Sequence, residues 1–226
     1  MRWMPWLTGA VLLGAQGVPE LIQARDRQDR AALEALIGRF AADSQRRPEA
    51  AAAHYRLALA RSYLAEVALE LRDRELARTA AEAGIAAARR AVELKPGEAE
   101  YHRVLGTLCG QVIPADVLRG MKYGRCAKES IARAIELAPR SSMALISRGI
   151  GNYYLPPMFG GGVDAAIADF RQAVELSPRS ADAHLWLGIA LRKANRPQEA
   201  RKSLARAVEL NPNRLWARQQ LEKTPQ

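Results

Sequence analysis

The chain has 226 residues, of which 34 are Lys or Arg and 24 are Asp or Glu, so its formal net charge is +10 at pH 7. This length suits one domain with a continuous core, and the surplus of cations raises the question of a nucleic-acid partner. However, the basic residues are mostly arginines, spread along the chain and often beside glutamates, and no nucleic-acid motif is present. The composition therefore disfavours nucleic acid and leaves a general preference for acidic partners or surfaces.

The first 17 residues have the features of an export signal. Arg2 is their single charged residue, Trp3–Leu13 is mostly apolar, and Ala15–Gly17 supplies small residues at the cleavage position. The apolar stretch is shorter than the ~20 residues that a membrane-spanning helix needs. We therefore predict a signal peptide over residues 1–17 and a periplasmic or secreted protein without a transmembrane span in its mature chain.

Both ends of the mature chain have the pattern of caps. Residues 18–47 are predicted to form a linker and a single helix over Asp26–Phe40, where apolar residues recur at helical spacing. Residues 213–226 are predicted to contain one closing helix over Leu215–Lys223. A stack of helices needs such caps because its terminal units otherwise expose an apolar face.

Between these ends, one short phrase occurs four times. It reads AVELKP, AIELAP, AVELSP and AVELNP, and the copies end at Pro96, Pro139, Pro178 and Pro212. Glycines 106, 149 and 188 stand ten residues after the first three prolines, and Ile131, Phe170 and Leu204 stand eight residues before the last three. Small residues let two helices approach closely where they cross, and proline ends a helix because its ring cannot continue the hydrogen-bond ladder. This spacing is typical of a helical repeat array.

Pro48 opens a further unit, so residues 48–212 divide into four units, over 49–96, 97–139, 140–178 and 179–212. The units shorten along the chain, and the excess falls between the two helices of each unit. In the first unit the extra residues are strong helix formers and predict longer helices. In the third unit, Leu155–Gly162 (LPPMFGGG) predicts an irregular loop, followed by Asp164 as the N-cap of the next helix.

This pattern resembles the tetratricopeptide repeat (TPR), in which antiparallel helix pairs stack into a right-handed superhelix. The resemblance implies an all-α solenoid that acts as a non-enzymatic scaffold for protein–protein interaction. Gly149–Pro178 also resembles a sub-group of exported bacterial TPR proteins with an LPxxFGG-like insertion. That sub-group is similar to regulators of microtubule dynamics and to a periplasmic subunit of some TRAP-type transporters, which implies a role in the cell envelope.

In TPR proteins the first helix of each unit lines a concave groove. The resemblance places nine side chains there, where aromatic and cationic groups offer both contact area and hydrogen bonds to a peptide: Tyr55, Tyr63, Arg103, Thr107, Tyr153, Tyr154, Leu185, Arg192 and Lys193. Each could instead pack against the neighbouring unit, and the inserted edge could replace the groove as the contact surface. The expected partner is a protein or peptide of acidic character, and the alternative is a small molecule or lipid carried in the superhelix, next to a transporter.

The residues that could support catalysis or metal binding are few. Cys109 and Cys126 flank the second insertion and form either two thiols or a disulfide, which in an oxidising compartment could add about 3 kcal/mol of stability. His54, His102 and His184 each follow a proline by six residues, so stacking separates them by about 10–20 Å. We expect these rings to pack with hydrogen bonds rather than to share a metal ion or a reacting bond. The sequence therefore predicts no metal, no cofactor and no enzymatic activity.

Overall fold

The structure is a computed structural model that describes residues 17–113 and 120–225. Within these ranges there is no strand, and the backbone forms helices joined by short turns. The α-helices are α1 (Val18–Asp26), α2 (Arg30–Arg46), α3 (Ala51–Glu70), α4 (Arg74–Leu94), α5 (Ala99–Val112), α6 (Gly120–Leu137), α7 (Ser142–Tyr154), α8 (Val163–Leu176), α9 (Ala181–Lys193), α10 (Pro197–Leu210) and α11 (Leu215–Glu222). A short 3-10 helix, Pro157–Phe159, lies between α7 and α8.

Consecutive helices pack as pairs, and the pairs stack. α3 packs on α4, α5 on α6, α7 on α8 and α9 on α10, and each pair lies within one of the four unit ranges given above. The first helices of neighbouring pairs also touch, α3 with α5, α5 with α7 and α7 with α9. The predicted all-α solenoid of helix pairs is confirmed.

The small residues of the repeat lie where the two helices of a pair cross. A methyl group on Gly149 would come within 2.5 Å of the ring of Phe170, which is fully buried. A methyl group on Gly188 would come equally close to Leu204. Such distances are far inside van der Waals contact, so only glycine allows these helices their present separation.

The insertions take the two forms that the sequence predicts. α3 and α4 have 20 and 21 residues against 13 and 14 in α9 and α10, which accounts for the whole excess of the first unit. The loop of the third unit turns through Gly160 and Gly162, whose φ angles of 84° and 113° favour glycine. The prediction that Asp164 is the N-cap was wrong, because α8 already begins at Val163 and Gly162 is its N-cap. Asp164 lies in the first turn of α8, where its carboxylate interacts favourably with the helix dipole.

The N-terminal end differs from the predicted linker and single helix. Residues 18–26 form α1, with Pro19 in its first turn, and α2 begins only at Arg30. Between them Gln28 adopts a left-handed conformation with φ of 53°, and Asp29 caps α2 by accepting a hydrogen bond from the Ala32 amide at 2.9 Å. The chain therefore turns back sharply where a continuous helix was expected.

Cys109 at the end of α5 and Cys126 in α6 form a disulfide in the structure, with their Cα atoms 6.0 Å apart. The bridge joins the two helices of the second unit across its insertion. None of the helices in the described ranges is long and apolar enough to cross a membrane. The predicted signal peptide lies outside the described residues, except for Gly17.

Candidate functional site

Helix α1 lies on the side of the stack where the resemblance places the concave groove. It packs on α3 of the first unit, and its Arg25 guanidinium sits 5.0 Å from the centre of the Tyr63 ring. The same guanidinium donates a hydrogen bond at 3.0 Å to Asp182 of α9, in the last unit. The Asp26 carboxylate accepts one at 2.7 Å from Asn211, beyond α10. α1 therefore bridges the first and last units across the groove.

Around α1, six charged side chains form a cluster that we call the central charge cluster. Its members are Arg25, Asp26, Glu66, Glu70, Asp182 and Arg214. With every group ionised the cluster holds four carboxylates against two guanidiniums. Burial of charges at this density is tolerated only when they are paired and hydrogen-bonded.

Arg214, in the turn between α10 and α11, is the most enclosed member, with a side chain that is 1% exposed. One of its terminal nitrogens donates to the Glu66 carboxylate at 2.7 Å, and both donate to Glu70. Its Nε lies 3.7 Å from the Asp26 carboxylate. A residue near the C-terminal end therefore pairs directly with α3 and with α1, and this closes the concave side.

The carboxyl group of Glu66 has an unusual pKa because of this setting. Burial is the largest influence and raises it, and the charges of Glu70 and Asp182 raise it further. Arg25 and Arg214 lower it, and the resulting pKa is about 7 against an ordinary value of 4.5. The folded protein therefore binds this proton more tightly than the unfolded chain does. The contribution of Glu66 to stability is fully favourable below pH 4.5 and is lost as the pH rises through 7.

We therefore expect Glu66→Gln to leave stability nearly unchanged at pH 4.5 and to raise the free energy of unfolding at pH 8 by about 2 kcal/mol. Glutamine keeps an oxygen for Arg214 and removes the buried negative charge. Urea unfolding at both pH values measures the effect. Glu199→Gln is the control, because Arg196 at the surface lowers the pKa of that carboxyl and its loss should not stabilise the protein. Equal changes in stability at the two pH values would contradict the assignment.

The two candidate groove residues of the first unit, Tyr55 and Tyr63, both lie close to α1. The Tyr55 ring stacks on Tyr101, with centroids 5.0 Å apart, and its hydroxyl donates to Glu100 at 3.2 Å. Burial raises the pKa of the Tyr55 phenol. Tyr63 is covered by Arg25, as described above. The rings of both tyrosines therefore already have partners within the chain.

The predicted contact residues of the second unit, Arg103 and Thr107, also have partners within the chain. Arg103 is buried and donates to the Glu100 carboxylate at 2.6 and 2.7 Å. The hydroxyls of Thr107 and Ser147 lie 3.2 Å apart and join this unit to the next. Arg103 also donates to the Ser147 hydroxyl at 3.4 Å, so both predicted contact residues connect the second unit to the third.

In the last unit, packing replaces two of the predicted contacts. Leu185 is fully buried in the core. Arg192 donates to the Gln220 carbonyl and to the Thr224 hydroxyl, both at 3.0 Å, and thereby fixes the end of α11. Lys193 is exposed, and its ammonium lies 4.1 Å from the centre of the Tyr153 ring. Of the three, only Lys193 remains accessible to a partner.

The structure adds an exposed apolar surface that begins beside Tyr153 and of which the predicted groove residues included only Tyr154. Tyr154 is 56% exposed, and the loop after it presents Leu155 at 40%, Met158 at 82% and Phe159 at 65%. We call these four residues the apolar patch. The sequence PPMFGGG contains no polar side chain and is predicted to be a loop. Such a short loop cannot bury its own methionine and phenylalanine, so the sequence could have indicated this surface.

The three histidines behave as the repeat position predicts. The Nε2 atoms of His54, His102 and His184 lie 2.9, 2.8 and 3.0 Å from the carbonyl oxygens of the prolines six residues earlier. A carbonyl only accepts, so Nε2 carries the proton and donates. Among the described residues, no group of three or more His, Cys, Asp or Glu could hold a metal ion.

Known proteins with the same architecture are found by comparison of the sequence and of the fold. Residues 158–214 match the tetratricopeptide repeat family model, and no curated protein sequence matches the chain. The fold is similar to that of a thermophilic TPR protein of Thermus thermophilus, with a TM-score of 0.63 at 20% identity over 89% of this chain and 97% of that one. It is also similar to the HusA haemophore from Porphyromonas gingivalis, with a TM-score of 0.55 at 20% identity over 79% of this chain and 96% of that one. The described chain therefore has the fold of tetratricopeptide repeat proteins, and residues 158–214 match that family in sequence.

Proposed function

We propose that this protein is a non-enzymatic TPR scaffold of the bacterial cell envelope that binds a protein partner at a surface formed by Tyr153, Lys193 and the apolar patch. The observation that carries the proposal is the stack of four helix pairs with an exposed apolar patch beside it. Stacked repeats offer an extended contact surface. Soluble monomers rarely expose large contiguous apolar patches unless these bind something.

This surface combines two predicted groove residues, Tyr153 and Lys193, with the apolar patch, which extends from Tyr154 at the end of α7 into the inserted loop of the third unit. The ring of Tyr153 packs on Trp186 and Tyr154, so the aromatic part of this surface is held rigidly. Rigid aromatic side chains bind at a low cost in conformational entropy. The ammonium of Lys193 and the net charge of +10 favour a partner segment that is apolar with acidic residues beside it.

Two observations support a location in the cell envelope. α1 begins at Val18, directly after the predicted cleavage position. The Cys109–Cys126 disulfide is typical of an oxidising compartment. The similarity to HusA, which is described as a haemophore, raises the alternative of a carrier. We favour the scaffold because α1 covers the inner face that a carried molecule would occupy.

Affinity capture from cell-envelope extracts of the host tests the proposal. We expect wild type to retain a specific protein partner and Met158→Ser/Phe159→Ser to retain at least about tenfold less of it, a loss of about 1.4 kcal/mol or more. Leu71→Ser is the matched control, because Leu71 is 44% exposed at the equivalent turn of the first unit. Equal retention by both variants would move the contact away from the apolar patch, and the lack of any specific partner would contradict the scaffold.

A further inference from the structure

Met158 is the most exposed side chain of the apolar patch, at 82%. It lies in the middle of the short 3-10 helix, Pro157–Phe159. Two backbone hydrogen bonds hold this turn, from the Phe159 amide to the Pro156 carbonyl at 3.0 Å and from the Gly160 amide to the Pro157 carbonyl at 2.9 Å. The two prolines also fix their own φ angles. The methionine is therefore presented to solvent by an ordered turn.

The loop has no interior that could shield the thioether of Met158. A methyl group on Gly161 would come within 2.4 Å of the Leu155 carbonyl oxygen, so the backbone of the loop closes tightly on itself. The side chain of Phe159, next to Met158, is also left outside and is 65% exposed. Solutes therefore reach the sulfur in the folded protein, without any opening of the stack.

An exposed thioether reacts with peroxides, and its susceptibility follows its exposure. A lone pair of the Met158 sulfur attacks one oxygen of hydrogen peroxide, so that an S–O bond forms and the O–O bond breaks. The departing hydroxide takes the proton of the new S–OH group and becomes water. The sulfur is oxidised by two electrons, the peroxide is reduced by two, and the products are methionine sulfoxide and water.

Oxidation at this position changes the chemistry of the apolar patch. The thioether of Met158 is apolar and adaptable, which suits contact with an apolar partner segment. The sulfoxide is polar, and burying its oxygen against apolar groups without a hydrogen bond is costly. The helix pairs themselves are unaffected, because a side chain that is 82% exposed contributes little to packing.

We propose that Met158 is a peroxide-sensitive modification site, and that its conversion to the sulfoxide releases the protein partner from the apolar patch. The regulatory half of this inference rests on the proposed function, because it concerns the same surface. Repair returns two electrons and two protons from a dithiol, which is the reaction of methionine sulfoxide reductases.

Mass spectrometry of the full-length protein after treatment with hydrogen peroxide tests the modification site. We expect Met158 to be oxidised at least about fivefold faster than Met143, which is partly buried against the core shared by α7 to α11. In protein unfolded by urea the two rates should converge, because both sulfurs are then exposed. Equal rates in the folded protein would overturn the proposal.

Binding of the dye 8-anilinonaphthalene-1-sulfonate tests the regulatory half. Its rings suit the apolar patch, and its sulfonate suits the ammonium of Lys193. We expect oxidation of Met158 to weaken dye binding by at least about threefold, with an unchanged far-ultraviolet circular dichroism spectrum. Met158→Leu is the matched control, because leucine is apolar and has no sulfur, so peroxide should not change its dye binding. Met158→Gln is polar like the sulfoxide and should bind the dye weakly without peroxide.

Two results of the dye experiment would overturn regulation through Met158. One is undiminished dye binding by wild type that carries the sulfoxide at Met158. The other is an equal peroxide-dependent loss in Met158→Leu, since the loss would then come from a different residue. Neither result touches capture of a partner by untreated protein. The proposed function fails instead if Met158→Ser/Phe159→Ser captures as much partner as wild type does, so the two failures are distinguishable.

Discussion

Replacement of Arg214 by methionine is expected to lower the free energy of unfolding by about 3–5 kcal/mol at pH 7. The guanidinium is almost completely enclosed and bonds Glu66 and Glu70, with Asp26 close to its Nε. Its removal leaves four carboxylates with Arg25 as their cation within the central charge cluster. Methionine fills a similar volume, so the loss reports the charge and its hydrogen bonds rather than a cavity. Urea unfolding followed by circular dichroism measures it.

Two further variants make the Arg214 result specific. Arg218→Met changes the exposed arginine one turn later in α11 and should alter stability by no more than about 0.5 kcal/mol. Glu70→Gln combined with Arg214→Met should recover part of the loss, because one carboxylate left without its cation is removed. If Arg214→Met and Arg218→Met were equally stable, the central charge cluster would not be what holds the first and last units together.

The second large effect is expected at the crossing of α7 and α8. Gly149→Ala should destabilise the protein by about 1–3 kcal/mol, because the added methyl group would lie 2.5 Å from the buried ring of Phe170. Gly151→Ala, two residues later in the same helix, meets nothing within 4 Å. That change should stabilise by about 0.5–1 kcal/mol, since alanine is the better helix former. Thermal and urea unfolding of the two variants give the comparison.

A compensating change identifies the cause of the Gly149→Ala loss. With Phe170→Leu added, the methyl group gains room, so the double variant should be less destabilised than the sum of the two single changes. Additive losses would show that the ring and the methyl group do not meet. Equal stabilities of Gly149→Ala and Gly151→Ala would reject close contact at this crossing altogether.

The repeat register was predictable because its cause is local. Each close crossing lies within one helix pair, so the spacing from Pro139 to Gly149 and from Phe170 to Pro178 encodes it directly. The same holds for the histidines, since each ring bonds a carbonyl six residues away on the same chain segment. Contacts of this kind need no knowledge of distant parts of the molecule.

The state of the groove was not predictable from the same register. Tyr55, Arg103 and Leu185 occupy equivalent positions in their units. In the structure, however, Tyr55 lies beside α1, Arg103 is ion-paired and Leu185 is fully buried. Repeat position sets the direction of a side chain, but its exposure depends on what lies opposite. Arg192 shows the same limit, because its carbonyl and hydroxyl partners come from the C-terminal cap.

The all-α stack of helix pairs and the position of the loop that carries Met158 and Phe159 could be predicted from the amino-acid sequence, because they follow from periodicity and from proline and glycine chemistry. The occupation of the concave side by α1 became visible only in the folded protein. That outcome rests on pairs such as Arg25 with Asp182, which are 157 residues apart. Two charges so distant in the chain meet only after every intervening helix pair has stacked, so no local sequence pattern could predict their pairing.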